Sequence, residues 1–252
     1  MLASVYAVYN NVFVMLKALL HGLIDAPRLG FGQMLTERKK EEIWPAFKEY
    51  EFVAVFFTFI MMTTACGLIL PFVRIYTRGV TDINYYDALI AVLMVLIGTV
   101  EMLHIPSGHI INMSGNFKIS KNFQIIACAL LIISMFTLGH FWGVYGMLAS
   151  LLLVAILLAF LEIGYVHTKF FESKVKEFVF LALPFILAGA ICAWGEMRIV
   201  CDLDSITRFI LFGFIYLIAN SCIALILGFT FCRKETKSLF GRARSLLGRF
   251  KR

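Results

Sequence analysis

Seven runs of apolar residues alternate with short polar connections along this chain. They lie at about 2–25, 51–73, 87–113, 122–141, 143–166, 178–197 and 209–231. A helix of about 20 apolar residues crosses the ~30 Å hydrocarbon core of a bilayer. In hydrocarbon every backbone polar group must be satisfied internally, which favours helices over irregular chain. The pattern therefore predicts an all-α, polytopic membrane protein with about seven transmembrane helices.

The first run is the least lipid-like. Asn10, Lys17, His21 and Arg28 recur at steps of seven and four and line one helical stripe, while Val12, Phe13, Met15, Leu16, Leu19 and Leu20 cover much of the rest. Asp25 follows His21 by four residues, within reach on the same face. Pro27 and the Gly30-Phe31-Gly32 step predict a bend or loosening beyond it. Residues 34–50 read as a charged linker whose Trp44 and Tyr50 suit a membrane interface. The second run is expected to end at Leu70-Pro71-Phe72. A loop with the turn formers Gly79, Asp82 and Asn84 follows. The third run carries Glu101, His104, Pro106, Ser107 and His109 and breaks at Gly115-Asn116. Runs four and five read as a tight pair joined near Gly139–Gly143, with Gly143, Gly146, Ala149 and Ser150 allowing close helix approach. Runs six and seven look plainer and peripheral.

Charge sorts along this alternation. One set of connections holds Arg28, Arg38, Lys39, Lys40, Lys48, Lys118, Lys121, Lys169, Lys174, Lys176 and the tail from Arg233 to Arg252. The opposite set holds only Arg74, Arg78, Arg198 and Arg208. Lys and Arg concentrate in cytoplasmic loops, which predicts Met1 outside and Arg252 inside. The tail reads as a basic surface helix, with Leu239, Ala243, Leu246, Leu247 and Phe250 on one face; a solvated positive tail is the alternative. Three units are expected: 1–176, five spans; 177–231, two further spans; and 232–252, a basic amphipathic cytoplasmic tail. An outward start without a signal peptide leads to the expectation that further sequence belongs before Met1.

Composition agrees: 61% of the 252 residues are hydrophobic and 15% charged. The net charge of +7 is then positive-inside bias and attraction to anionic lipid, and no nucleic-acid partner is expected. Cys66, Cys128, Cys192 and Cys222 fall within spans, Cys232 at an edge and Cys201 in an outer loop. No pair has zinc or redox spacing.

Three stretches point to a family. Leu70-Pro71-Phe72-Val73-Arg74-Ile75-Tyr76-Thr77-Arg78-Gly79-Val80-Thr81-Asp82-Ile83-Asn84-Tyr85 resembles the outer loop of bacterial polysaccharide exporters of the O-antigen flippase type. Ile105-Pro106-Ser107-Gly108 through Ser114-Gly115-Asn116-Phe117-Lys118-Ile119-Ser120-Lys121 resembles that family's break into a cytoplasmic turn. Gly143-Val144-Tyr145-Gly146-Met147-Leu148-Ala149-Ser150 resembles its glycine-spaced helix entry, and Val5-Tyr6-Ala7-Val8-Tyr9-Asn10 is a fourth, weaker likeness. The chain departs from the pattern at His104 and at Ala149-Ser150.

The resemblance implies the superfamily of multidrug, oligosaccharidyl-lipid and polysaccharide flippases, in which two helical lobes surround a cavity. Matched that way, the chain corresponds to the C-terminal lobe. The implied function is translocation of a polyprenyl-diphosphate-linked oligosaccharide across the bacterial inner membrane, by a truncated or split half-transporter. Its implied partners are that lipid-linked oligosaccharide, membrane lipids and a missing N-terminal lobe.

Such a substrate needs cations for its phosphates and amides, hydroxyls or aromatics for its sugars. Asn10, Lys17, His21 and Glu101 are the candidate cavity residues. Lys17 lies near mid-membrane, where a charge costs ~2.5–3.5 kcal/mol on insertion scales; the alternative is that it snorkels to an interface. Glu101 pairs with Lys17, couples to protons, faces water or is structural. His104 and His109 are five apart and off a common face, so neither they nor any other residues are expected to bind metal. Glu162 is expected to reach water, and Asp202 and Asp204 to lie in an exposed loop. No catalytic or cofactor motif is present, and an enzyme is not expected. A non-transporting remnant or scaffold is the alternative, and a membrane-bound glycosyl- or acyltransferase is a further one. The transferase would need His, Asp or Glu clustered at a membrane face.

Overall fold

The computed structural model describes residues 2–80, 83–199 and 205–249. Every regular element among them is helical: α1 (Leu2–Ile24), α2 (Arg28–Glu37), α3 (Lys40–Tyr76), α4 (Ala88–Met113), α5 (Phe117–Tyr165), α6 (Val175–Ile199), α7 (Ile206–Phe231) and α8 (Arg233–Arg249). A π-turn, Val166–Phe170, extends α5. Six helical stretches are long and apolar enough to cross a membrane. One of these, α5, breaks at Gly143, whose φ of 55° and ψ of −130° are non-helical. The arms on either side fold back on each other, because Gly146 lies directly against the carbonyl of Leu138. Counted as two arms, that hairpin brings the long apolar helices among the described residues to seven. Only glycine fits at both positions, one for its backbone angle and one for the missing Cβ.

The helix α3 is the axis. It packs against α1 and α4 on one side and α6 and α7 on the other, and α4 packs in turn against α5. One apolar cluster joins Tyr9, Phe13, Leu20 and Ile24 of α1 to Tyr50, Met62 and Leu70 of α3, to Ile90, Met102 and Ile110 of α4, and to Leu148 of α5. A second joins Phe52, Val55, Phe56 and Phe59 of α3 to Phe178, Leu181 and Phe185 of α6 and to Ala224 of α7. Pro71, Pro106 and Pro184 lie inside helices, which membrane helices tolerate when neighbours satisfy the freed carbonyls.

Several expectations change here. Residues 34–50 are not a linker: 34–37 close α2, and α3 begins at Lys40. Ile43, Phe47, Tyr50 and Ala54 are all buried, so the charged stretch presents a regular apolar edge. The chain does bend at residues 25–27, but Gly30 and Gly32 then sit within α2. The second span runs through Pro71 to Tyr76. Beyond it Gly79 turns with φ 91° and Asn84 accepts from the Tyr86 amide, as expected of turn formers.

The tail is helical, but it begins at Arg233 and is not detached: Thr236 is buried beside Gly228, and Phe240 stacks on Phe229. The helices α6 and α7 are likewise not plain, since both bury polar side chains against α3. Asp82, Cys201, Asp202, Asp204 and Phe250 lie outside the described residues.

Candidate functional site

Lys17 and Glu101 meet. The ammonium of Lys17 on α1 lies 3.0 Å from Glu101 Oε2, midway along α4, and the two side chains are 30% and 35% exposed. Gly98, one turn before Glu101, leaves room for the Met62 side chain of α3, with the Lys17 stem passing beside it. Both charges are thus placed by packing of the two helices, and neither is sealed within it.

The other candidates flank this pair along α1. Asn10 accepts from the Tyr6 hydroxyl at 3.2 Å, two turns toward the N-terminal end of α1. His21 lies one turn the other way, with Nδ1 3.7 Å from Asp25 Oδ2. The structure brings only Lys17 and Glu101 into direct contact. Asn10 and His21 share their helix but not their hydrogen bonds.

Asp25 also faces a second imidazole. His109 Nε2 of α4 is 3.5 Å from Asp25 Oδ1, and His109 Nδ1 is 2.7 Å from the Tyr50 hydroxyl of α3. His21, Asp25, His109 and Tyr50 therefore gather where α1, α3 and α4 converge, a cluster that spacing along the sequence does not reveal. Among the described residues, no group of three or more His, Cys, Asp or Glu can hold a metal ion.

Two further imidazole–carboxylate pairs lie on this side of the bundle. His104 Nδ1 is 2.8 Å from Glu162 Oε2, tying α4 to α5. Glu162 is buried, contrary to the expectation that it reaches water. Helix α4 packs across the end of α5 and covers it. His167 of the π-turn lies 2.9 Å from Glu51 Oε1 of α3. Trp44, Phe47 and Phe178 meet that imidazole edge-on, and Lys48 closes the edge through Glu177 at 2.8 Å.

At the opposite end, residues from three of the quoted stretches converge. Asp87 caps α4 by accepting from the amides of Leu89 and Ile90, and it also accepts from the Tyr145 hydroxyl. Tyr9 donates to the Tyr85 carbonyl at 3.1 Å and accepts from the Asp87 amide at 2.9 Å. This clasp holds α1, α4 and the second arm of α5 together at one end. The seam between α1 and α4 thus has a fixed end, a charged middle and an imidazole cluster at the other end.

Helix α4 supplies most of the polar column. Glu101 turns to α1, His104 to α5 and His109 to α3 and Asp25, so each neighbour meets α4 through a different polar contact. Beside it, an apolar crevice of about 340 Å³ opens between α3, α4 and α6, walled by Phe59, Leu96, Ile186 and Trp194.

No known protein family, curated protein or solved structure matches the chain.

Proposed function

We propose that the chain is a membrane-embedded transport lobe that moves an anionic, lipid-linked oligosaccharide across the bilayer. Its charged seam on α1 and α4 faces a second helical body. The observation that carries this reading is the Lys17–Glu101 pair. A partly exposed ion pair at mid-helix is costly against hydrocarbon and is ordinarily turned toward a bundle interior or an aqueous path. The outward face of α1 carries Asn11, Ala18 and Gly22 among the exposed apolar Met15, Leu19 and Leu23, and small side chains let membrane helices approach closely.

Lys17 then provides the cation for a diphosphate, which competes with Glu101 for the ammonium. Glu101, released, faces water or takes a proton. Tyr6 and Asn10 offer a hydroxyl and an amide at the height of the sugars. The likeness of four sequence stretches to polysaccharide exporters supports the same substrate class, and the basic loops support an inner-membrane setting with Arg252 in the cytoplasm.

The test is translocation of a fluorescent polyprenyl-diphosphate oligosaccharide in everted membrane vesicles from cells making the chain. Glu101→Gln and Lys17→Met are expected to abolish protected glycan while leaving membrane levels unchanged. Wild-type translocation by both variants would overturn the proposal.

The cluster of His21, Asp25, His109 and Tyr50 favours one second reading, a membrane-bound transferase with His109 as base. It predicts product formation in the same vesicles that His109→Gln abolishes and Glu101→Gln spares.

A further inference from the structure

The last two spans hold a polar site that the transport reading does not use. Asn220 of α7 is completely buried, and both of its amide hydrogens are engaged. Nδ2 donates to Glu196 Oε1 of α6 at 2.8 Å and to Thr64 Oγ1 of α3 at 3.0 Å. Tyr216 of α7 donates its hydroxyl to the Glu196 carbonyl at 3.2 Å. The space is built for the carboxylate: a Cβ on Gly67 of α3 would come within 2.6 Å of Glu196 Oε2. Three helices thus converge on one acid.

The hydrogen bonding is incomplete in one sense only. Glu196 Oε2 and Asn220 Oδ1 are both buried, and neither has a donor among the described residues. Two bare buried acceptors, one on an acid, leave a local deficit of positive charge. Buried acceptors in native structures have partners, so the exceptions call for a missing group. A further amide or hydroxyl acceptor would not help. A cation would serve both atoms at once.

We infer that Glu196 and Asn220 hold a monovalent cation, a proton on the carboxyl or a sodium ion, between α3, α6 and α7. As a proton, it makes Glu196 an acid whose O–H can be donated to an acceptor. As sodium, it is held by the hard oxygens left bare on the carboxylate and the amide. Membrane transporters place such ions where polar groups of several helices meet within the bilayer. Three titratable neighbours face the site: Cys66 on α3, Cys192 on α6 and Tyr216 on α7. This site lies on the far side of α3 from the Lys17–Glu101 seam, and its test does not depend on which substrate is moved.

The experiment is thermal unfolding of the purified full chain, in sodium chloride or choline chloride of equal ionic strength, at pH 6 and pH 9. The wild type is expected to melt several degrees lower at pH 9 in choline than at pH 6. If sodium restores the loss, the bound ion is sodium; if it does not, the ion is a proton. Glu196→Gln places an N–H where the acid O–H would stand, so its melting should respond less to pH than the wild type and not at all to sodium. A wild type insensitive to both, or an identical response in Glu196→Gln, would overturn the inference. Should that variant fail to fold, the wild type's carboxyl infrared band and sodium retention decide. Neither a protonated-carboxyl infrared band that disappears between pH 6 and pH 9 nor retained radioactive sodium would likewise overturn it.

Discussion

His167 and Glu51 form an ion pair or neutral hydrogen bond 2.9 Å long with 0% and 2% of their side chains exposed. The pair joins the π-turn after α5 to α3, the helix against which α1, α4, α6 and α7 pack. Removing one member strands the other in an apolar, aromatic enclosure, which costs about 3–5 kcal/mol for a buried pair. His167→Ala and Glu51→Ala are each expected to lower the melting temperature sharply. Glu51→Gln, which keeps a hydrogen-bonding oxygen, should lose much less. Thermal unfolding in one detergent compares the three, and equal melting of all of them would refute the assignment.

Lys17 and Glu101 are half open, so their contribution to stability should be small. Polar contacts between membrane helices contribute about 1 kcal/mol. A double-substitution cycle with Lys17→Met and Glu101→Gln is expected to return a coupling of that order, in contrast to a large loss of transport. Strong coupling in stability with normal transport would make the pair a structural tie.

The hairpin in α5 depends on close backbone approach. Gly146→Ala pushes a methyl group into the Leu138 carbonyl, and overpacking of this kind costs about 1–3 kcal/mol. Gly164→Ala, with open space around it, should be neutral. Protein yield and unfolding temperature of the two variants will differ if the arms pack as described.

Cys232 sits between α7 and α8. Burial, with help from Glu235, pushes its thiol up to about 11 from an ordinary 9.0, against a smaller opposing pull from Lys48. The thiol should therefore resist alkylation at pH 8 in the folded chain and react once the chain is denatured. Because the folded value lies above the unfolded one, its contribution to stability is complete below pH 9 and lost as pH rises through about 11. Mass spectrometry of protein treated with iodoacetamide before and after denaturation reads Cys232 directly.

Orientation can be read directly. A reporter fused after Arg252 is expected to be active only in its cytoplasmic form, and one inserted in the loop after Gly79 only in its periplasmic form. The reverse pattern would contradict the reading of the basic loops.

How much of this was visible in the chain depended on range. The spans were legible because a run of apolar residues carries its own reason for being helical in lipid. The meeting of Lys17 and Glu101 was legible as one option, since two opposite charges at similar depth have few other partners. Pairings set by which helices touch were not. Glu162 looked like a residue at a water-facing helix end until α4 covered it. Glu196 and Asn220 lie on separate apolar runs, and spacing along the chain does not pair them. The start of α3 was missed for a different reason: its charges drew attention from Ile43, Phe47, Tyr50 and Ala54, whose spacing already marked a buried edge.

The central position of α3 has a consequence for how the chain is made. Its phenylalanine face, Phe52, Phe56 and Phe59, and its Thr64 hydroxyl are covered by helices encoded more than a hundred residues later. During synthesis that face meets only lipid, while the side facing α1, α4 and α5 is already closing. Assembly is therefore ordered, with α6 and α7 arriving as a clasp on a half-built bundle. Until α7 arrives, Glu196 has entered the bilayer without its amide. A ribosome that stops before residue 206 leaves an acid without a partner in the membrane, the kind of defect by which quality control can tell an unfinished chain from a finished one.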